Sequence, residues 1–160
     1  MRKITLLCMG KLKEKYWRDA VAEYVKRMTP YARLTVEELD EERLPEHPSE
    51  AQIAAALAKE ATRLEARIPA GAAVIPLCIE GEGLSSVQFS SRLAKLAVEG
   101  VSETVFVIGS SYGLDPRIKA RGKVKLSMSA MTFPHQLARV MLLEQIYRAA
   151  KIEQGGTYHK

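Results

Sequence analysis

Two cysteines and three histidines are all that 160 residues supply of the usual redox and metal-binding side chains. Cys8 and Cys78 lie far apart inside apolar runs, and His47, His135 and His159 are scattered. No zinc spacing, dithiol motif or disulfide framework can be read from them, so no metal is implied and both cysteines read as small buried hydrophobes. Long hydrophobic runs are also missing. None approaches a membrane span, and the apolar stretch over 4–9 is too short for a signal peptide, so a cytoplasmic protein is expected. There is no Gly-Lys-Ser/Thr phosphate loop. Gly81 and Gly83 begin a dinucleotide-like fingerprint, but its third glycine falls at Ser86, which argues against nicotinamide binding. Repeats and low-complexity segments are absent as well.

What is present suits one soluble domain over 1–160, because 47% apolar residues in a chain of this length can bury a core without staples. The net charge of +5 conceals an uneven distribution. Residues 1–33 hold nine Lys/Arg against three acids, 34–67 hold four against nine, and 117–125 hold five with no acid. Concentrated positive charge beside an acidic segment favours a polyanionic partner on particular faces.

Apolar periodicity predicts strands over 2–9, 34–39, 73–79, 104–108 and 123–126. Between them fall helices. One over 14–28 carries Trp17, Ala20, Val21, Tyr24 and Met28 on a single face. A second starts at the capping box Ser49/Gln52 and runs a stripe from Ile53 to Ile68, and a third starts at the capping box Ser85/Gln88. Residues 81–83 read as a turn. Pro134 reads as the first helical residue, with Thr132 or Phe133 at the cap, and the last helix runs to about 154. Strands alternating with helices predict an α/β fold, a mainly parallel sheet flanked by helices. The last helix is apolar around most of its circumference, which predicts that helix 134–154 packs on its own sheet and also on a second copy, as a homodimer.

In open parallel sheets ligands bind beyond the carboxyl ends of strands. Three such ends combine apolar residues with Gly or small polar positions, at 77–83, 109–113 and 128–133, giving backbone access for a mostly neutral ligand such as adenosine. The third leads into a helix start, whose unpaired N–H groups attract polar ligand atoms.

The helix-entry run Met131-Thr132-Phe133-Pro134-His135-Gln136-Leu137, with Arg139, Glu144-Gln145, Tyr147-Arg148-Ala149 and the ending Tyr158-His159-Lys160, resembles the RlmH family of the SPOUT superfamily. The stretch from Gly10 to Trp17, the run Phe106-Val107-Ile108-Gly109 and Tyr112-Gly113-Leu114 resemble it too, so the likeness covers nearly the whole chain. The resemblance implies a SPOUT-type α/β fold with a C-terminal trefoil knot and S-adenosyl-L-methionine as cofactor. That cofactor would be contacted by Leu77, Gly109, Met128, Ser129, Ala130, Met131, Thr132 and Phe133. The implied reaction is methylation of N3 of a pseudouridine in a stem-loop of 23S rRNA. The family commonly has a second glycine where this chain has Ser110; a positive φ there would cost serine up to about 1 kcal/mol.

An imide nitrogen attacks a methyl group only after losing its proton, so a nearby base or cation is expected. His159 or Arg139 would assist that step, with Tyr158 stacking or hydrogen bonding. Lys11, Lys13, Arg18, His135, Arg148 and Lys160 are the expected RNA contacts. Gly155-Gly156 would let the tail fold back over a site, that of the other subunit included. With no appended RNA-binding domain, recognition requires the dimer surface and a folded RNA or assembled ribosome. Two other readings compete: a tRNA methyltransferase of the same superfamily, and a catalytically silent ribosome-binding factor.

Overall fold

A computed structural model describes all residues, 1–160. In chain order the elements are β1 (Arg2–Met9), α1 (Lys15–Met28), β2 (Ala32–Leu39), α2 (Glu50–Arg67), β3 (Ala73–Gly83), α3 (Ser86–Val98), β4 (Glu103–Ile108), α4 (Pro116–Lys119), β5 (Leu126–Ser127) and α5 (His135–Glu153). The five strands form one sheet in the order β2-β1-β4-β3-β5, every pairing parallel. The expected α/β architecture is therefore present.

Strand alternation sorts the core onto two faces. Ile4, Leu6, Cys8, Ile75, Phe106 and Ile108 point to the side carrying Met28 of α1, Phe89 and Leu93 of α3, and Leu142, Leu143 and Ile146 of α5. Leu7, Met9, Val74, Val105 and Val107 point to the other, where Ala61 and Leu64 of α2 meet Ile118 of α4. Phe106 in β4 has no exposed surface, and such burial contributes roughly 2–3 kcal/mol. α5 lies between α1 and α3, burying Leu142, Leu143, Ile146 and Ala149 while Leu137, Val140 and Met141 stay half-buried.

Both capping boxes form as expected: Ser49 and Ser85 accept from the N–H of Gln52 and Gln88 at 3.1 Å, and each glutamine side chain accepts in return at 2.8 Å. Three local expectations change. The 81–83 segment is not a turn but the far end of β3, paired with Leu126 and Ser127. Glycine is needed at 81 because a Cβ there would sit 2.7 Å from the backbone of Leu126. The strand expected over 123–126 shrinks to Leu126–Ser127, preceded by a lone bond from Lys123 N–H to the Val74 carbonyl at 2.8 Å. Pro134, with φ −54° and ψ 140°, is the N-cap of α5 and His135 its first residue, displacing Thr132 and Phe133 from that role. The ring that fixes φ near this value serves the extended cap as well as it serves a first turn.

Candidate functional site

The middle of β3, just past its pairing with β4, and the carboxyl ends of β4 and β5 open into one cleft of about 350 Å³. Leu77, Cys78 and Ile79 line it from β3, the 108–114 stretch from β4, and Leu126 to Ser129 from β5; Met131, Thr132, Phe133, His135 and Ala138 close it at the start of α5. The loops are shaped by their own polar groups. Ser127 Oγ–H donates to the Ser129 carbonyl at 3.1 Å, and Ser129 Oγ accepts from the Met131 N–H at 3.0 Å. Gly113 N–H donates to the Ser110 carbonyl at 2.8 Å. Positive φ in this turn falls on Gly113, at 86°, and not on Ser110, so the serine carries none of the strain it would have had there. Gly109 is required by crowding: a Cβ would meet the Gly113 carbonyl oxygen at 2.2 Å.

Seven of the eight residues expected to touch cofactor line this cleft; Ala130 is exposed and does not. His135, expected on RNA, lines it as well. Cys78, Ile79 and Tyr112 fall within the segments expected at 77–83 and 109–113 without having been singled out, whereas Lys119 lay outside every expected segment. Lys119 comes from α4, an element with only four residues, and pairs with Glu80 at 2.7 Å. That bond holds the Glu80 carboxyl below its ordinary value. The only advance signal for Lys119 was the acid-free basic run around it.

Tyr158 and His159 do not line the cleft. They fold against the flank of α5, where Glu144 collects the Tyr158 hydroxyl at 3.1 Å, Arg148 at 2.6 Å and the Gln145 amide at 2.9 Å. The Arg148 guanidinium lies 4.7 Å from the Tyr158 ring centroid, and its Nη1 is 3.1 Å from His159 Nδ1. A guanidinium only donates, so Nδ1 accepts and the ring hydrogen sits on Nε2. Burial, then the bond to Glu144, pushes the Tyr158 phenol up. A second hollow of about 390 Å³ joins the two regions: Leu126, Ser127 and Met128 form a wall shared with the cleft, and Met141, Glu144 and Gln145 line its far side.

Arg139 moves furthest from expectation. It is 1% exposed and outside the cleft lining, its guanidinium donating to Glu38 of β2 at 2.6 Å and to the Gly10 carbonyl, in the loop after β1, at 3.2 Å. These bonds fasten α5 to β2 and to the loop after β1. Glu38 also accepts from the Leu12 N–H at 2.8 Å. Lys11 and Lys13 are exposed on the same loop, Lys11 3.4 Å from Asp40, and Arg18 donates back to the carbonyls of Leu12 and Lys13. Lys160 is exposed beside the tail cluster.

Parallel strands whose carboxyl-end loops converge on one small-molecule cleft define an α/β protein of the ligand-binding kind. Residues 2–159 match the family model described as predicted SPOUT methyltransferase, and the chain belongs to that family. It is 49% identical over 157 residues, 98% of this chain and 99% of the other, to the ribosomal RNA large subunit methyltransferase H of Bifidobacterium animalis subsp. lactis. To the protein of the same name from Bifidobacterium adolescentis it is 50% identical over 158 residues, 99% of both chains. Among solved structures, it aligns with an A. aeolicus TrmH/SpoU tRNA modifying enzyme over 97% of this chain and 78% of that one, at 12% identity and a TM-score of 0.49.

Proposed function

We infer that the protein is an S-adenosylmethionine-dependent methyltransferase of large-subunit ribosomal RNA, acting on N3 of a pseudouridine. The observation that carries this reading is the convergence of β3 and the segments following β4 and β5 on one cleft lined by Leu77, Gly109, Met128, Ser129, Met131, Thr132 and Phe133. The near full-length likeness to proteins named ribosomal RNA large subunit methyltransferase H supports its coarser part, methylation of large-subunit rRNA. The cleft fits the donor. Its volume is within the range of small-molecule sites, its walls at Leu77, Ile79, Met128 and Phe133 are apolar, and the 109–113 turn and the 127–129 segment bring backbone to its lining. When bound, the donor supplies a methyl group on a sulfonium. The acceptor nitrogen forms the new N–C bond as the S–C bond breaks, and its proton passes to solvent or a base.

The chain's own task is alignment, exclusion of water and help with that proton. His135 and Lys119 are the cleft's basic lining groups, beside Cys78 and Tyr112. His159 and Tyr158 contribute from the tail, and with Nδ1 occupied by Arg148 the histidine must leave this bond before Nδ1 can take a proton. We propose that the working unit is a homodimer that places one tail near the other subunit's cleft. Trp17, Ala20, Val21 and Tyr24 on α1 and Leu137 and Met141 on α5 remain half-buried, apolar surface suited to a second copy. Lys11, Lys13, Arg18, Arg148 and Lys160 would then meet phosphates of rRNA in the assembled large subunit or ribosome, in the cytoplasm.

The test is methyl transfer to ribosomes purified from cells lacking this protein, with nucleosides mapped by mass. The expected product is one N3-methylated pseudouridine in 23S rRNA. Donor binding without methylation of ribosomes, or methylation of tRNA instead, would overturn the reading.

A further inference from the structure

The loop that follows β4 is fastened from the opposite face of the sheet. Glu60 of α2 is only 3% exposed and has no cationic partner. A carboxylate in such a place must be satisfied by donors. It has two: the Glu42 N–H at 2.8 Å on Oε2, and the Ser110 hydroxyl at 2.9 Å on Oε1. Ser110 directly follows Gly109 and lines the cleft, and its carbonyl holds the turn by accepting from Gly113. One residue thus joins the turn's internal bond to an anchor buried under α2. Gly109 packs against the Gly113 carbonyl so tightly that a shift of the turn would carry both glycines with it.

We propose that Glu60 and Ser110 are a positioning pair for methyl-donor binding: the buried carboxylate holds the 109–113 turn in the shape that accepts the donor. This rests on the reading that the cleft binds the donor. The pair touches no reacting atom. It acts by removing alternative loop conformations, so its loss appears in donor affinity and KM more than in kcat.

Calorimetry with S-adenosylmethionine and with the demethylated product, alongside steady-state kinetics and thermal melts, tests the pair. Ser110→Ala and Glu60→Met are each expected to weaken donor binding by about tenfold, the loss of one hydrogen bond to a charged group. Ser110→Thr and Glu60→Gln keep a donor or an acceptor and are expected to restore it. The double variant S110A/E60M should lose no more than the weaker single variant, because both remove the same bond. Should Glu60→Met not fold, Ser110→Ala against Ser110→Thr decides. Binding by Ser110→Ala within about twofold of the unaltered protein would overturn the pair. So would additive losses, or a loss in Ser110→Ala that Glu60→Met does not share, which would mean the hydroxyl contacts the donor directly. An unaltered protein that binds no donor would overturn the donor cleft itself, and the pair with it.

Discussion

Arg139 shows how a single side chain changes meaning between sequence and structure. An arginine near a helix start in a ligand-binding protein reads as a catalytic cation, but here the charge is sealed between α5 and the loop after β1. Its Nε has no partner. Breaking a buried ion pair costs about 3–5 kcal/mol when the remaining charge stays buried. Glu38 is a third exposed and can rehydrate, so Arg139→Met is expected to cost about 2–3 kcal/mol in urea unfolding. Arg139→Lys should recover only part, since one ammonium lacks the fork that reaches Glu38 and Gly10 together. Cys8 lies beside this pair, and burial pushes its thiol up to about 12 against the opposing pull of Arg139. Native Cys8 is accordingly expected to resist alkylation at neutral pH and to react once the chain is unfolded. At Gly109 the crowding is sharper: Gly109→Ala should abolish donor binding in calorimetry, because the turn must move to admit a methyl group.

Among the elements, helix starts were the most legible. Ser49 and Ser85 each announce a helix because the capping box is a local exchange of bonds within four residues. The end of β3 was not. Glycines at 81 and 83 look alike whether they turn a chain or let two backbones approach, and only the distant Leu126 decides between them. The cleft-lining loops were legible because strand ends in a parallel sheet share an edge. Ser110–Glu60 was not, since its partners are fifty residues apart and belong to different layers. The Gly81 contact predicts that Gly81→Ala separates β3 from β5 and lowers the melting temperature more than Gly83→Ala, where a Cβ meets nothing within 4 Å. The tail carries a pH prediction. Tyr158 has a raised folded pKa, so its share of docking is intact below the ordinary tyrosine value near 10 and lost as pH rises through the raised one. Tyrosinate absorbance compared with Tyr158→Phe reads that transition directly.

For the whole molecule, the half-buried faces of α1 and α5 predict association. Light scattering at micromolar concentration is expected to give twice 17.8 kDa, and Trp17→Glu should shift the species to the single-chain mass. The basic loop after β1 predicts a different readout. If Lys11 and Lys13 each meet one phosphate, replacing either by Ala lowers the slope of log affinity against log salt by about 0.7–0.9 and leaves donor binding unchanged. The sequence could announce a polyanionic partner through uneven charge, yet it could not say which cations were already engaged. Lys119, Arg117 and Lys123 each face a carboxylate of the protein itself, at 2.7, 2.8 and 3.8 Å.

The cleft hangs on β5, a strand of two residues at the edge of the sheet, and on the start of the last helix. During synthesis the chain leaves the translating machine amino end first, so the strands of the interior can assemble while the donor's third wall is still untranslated. A nascent chain shorter than about residue 138 therefore lacks one wall of the cleft. Closure of the cleft therefore waits on the segment that follows β5, after its other walls have been made.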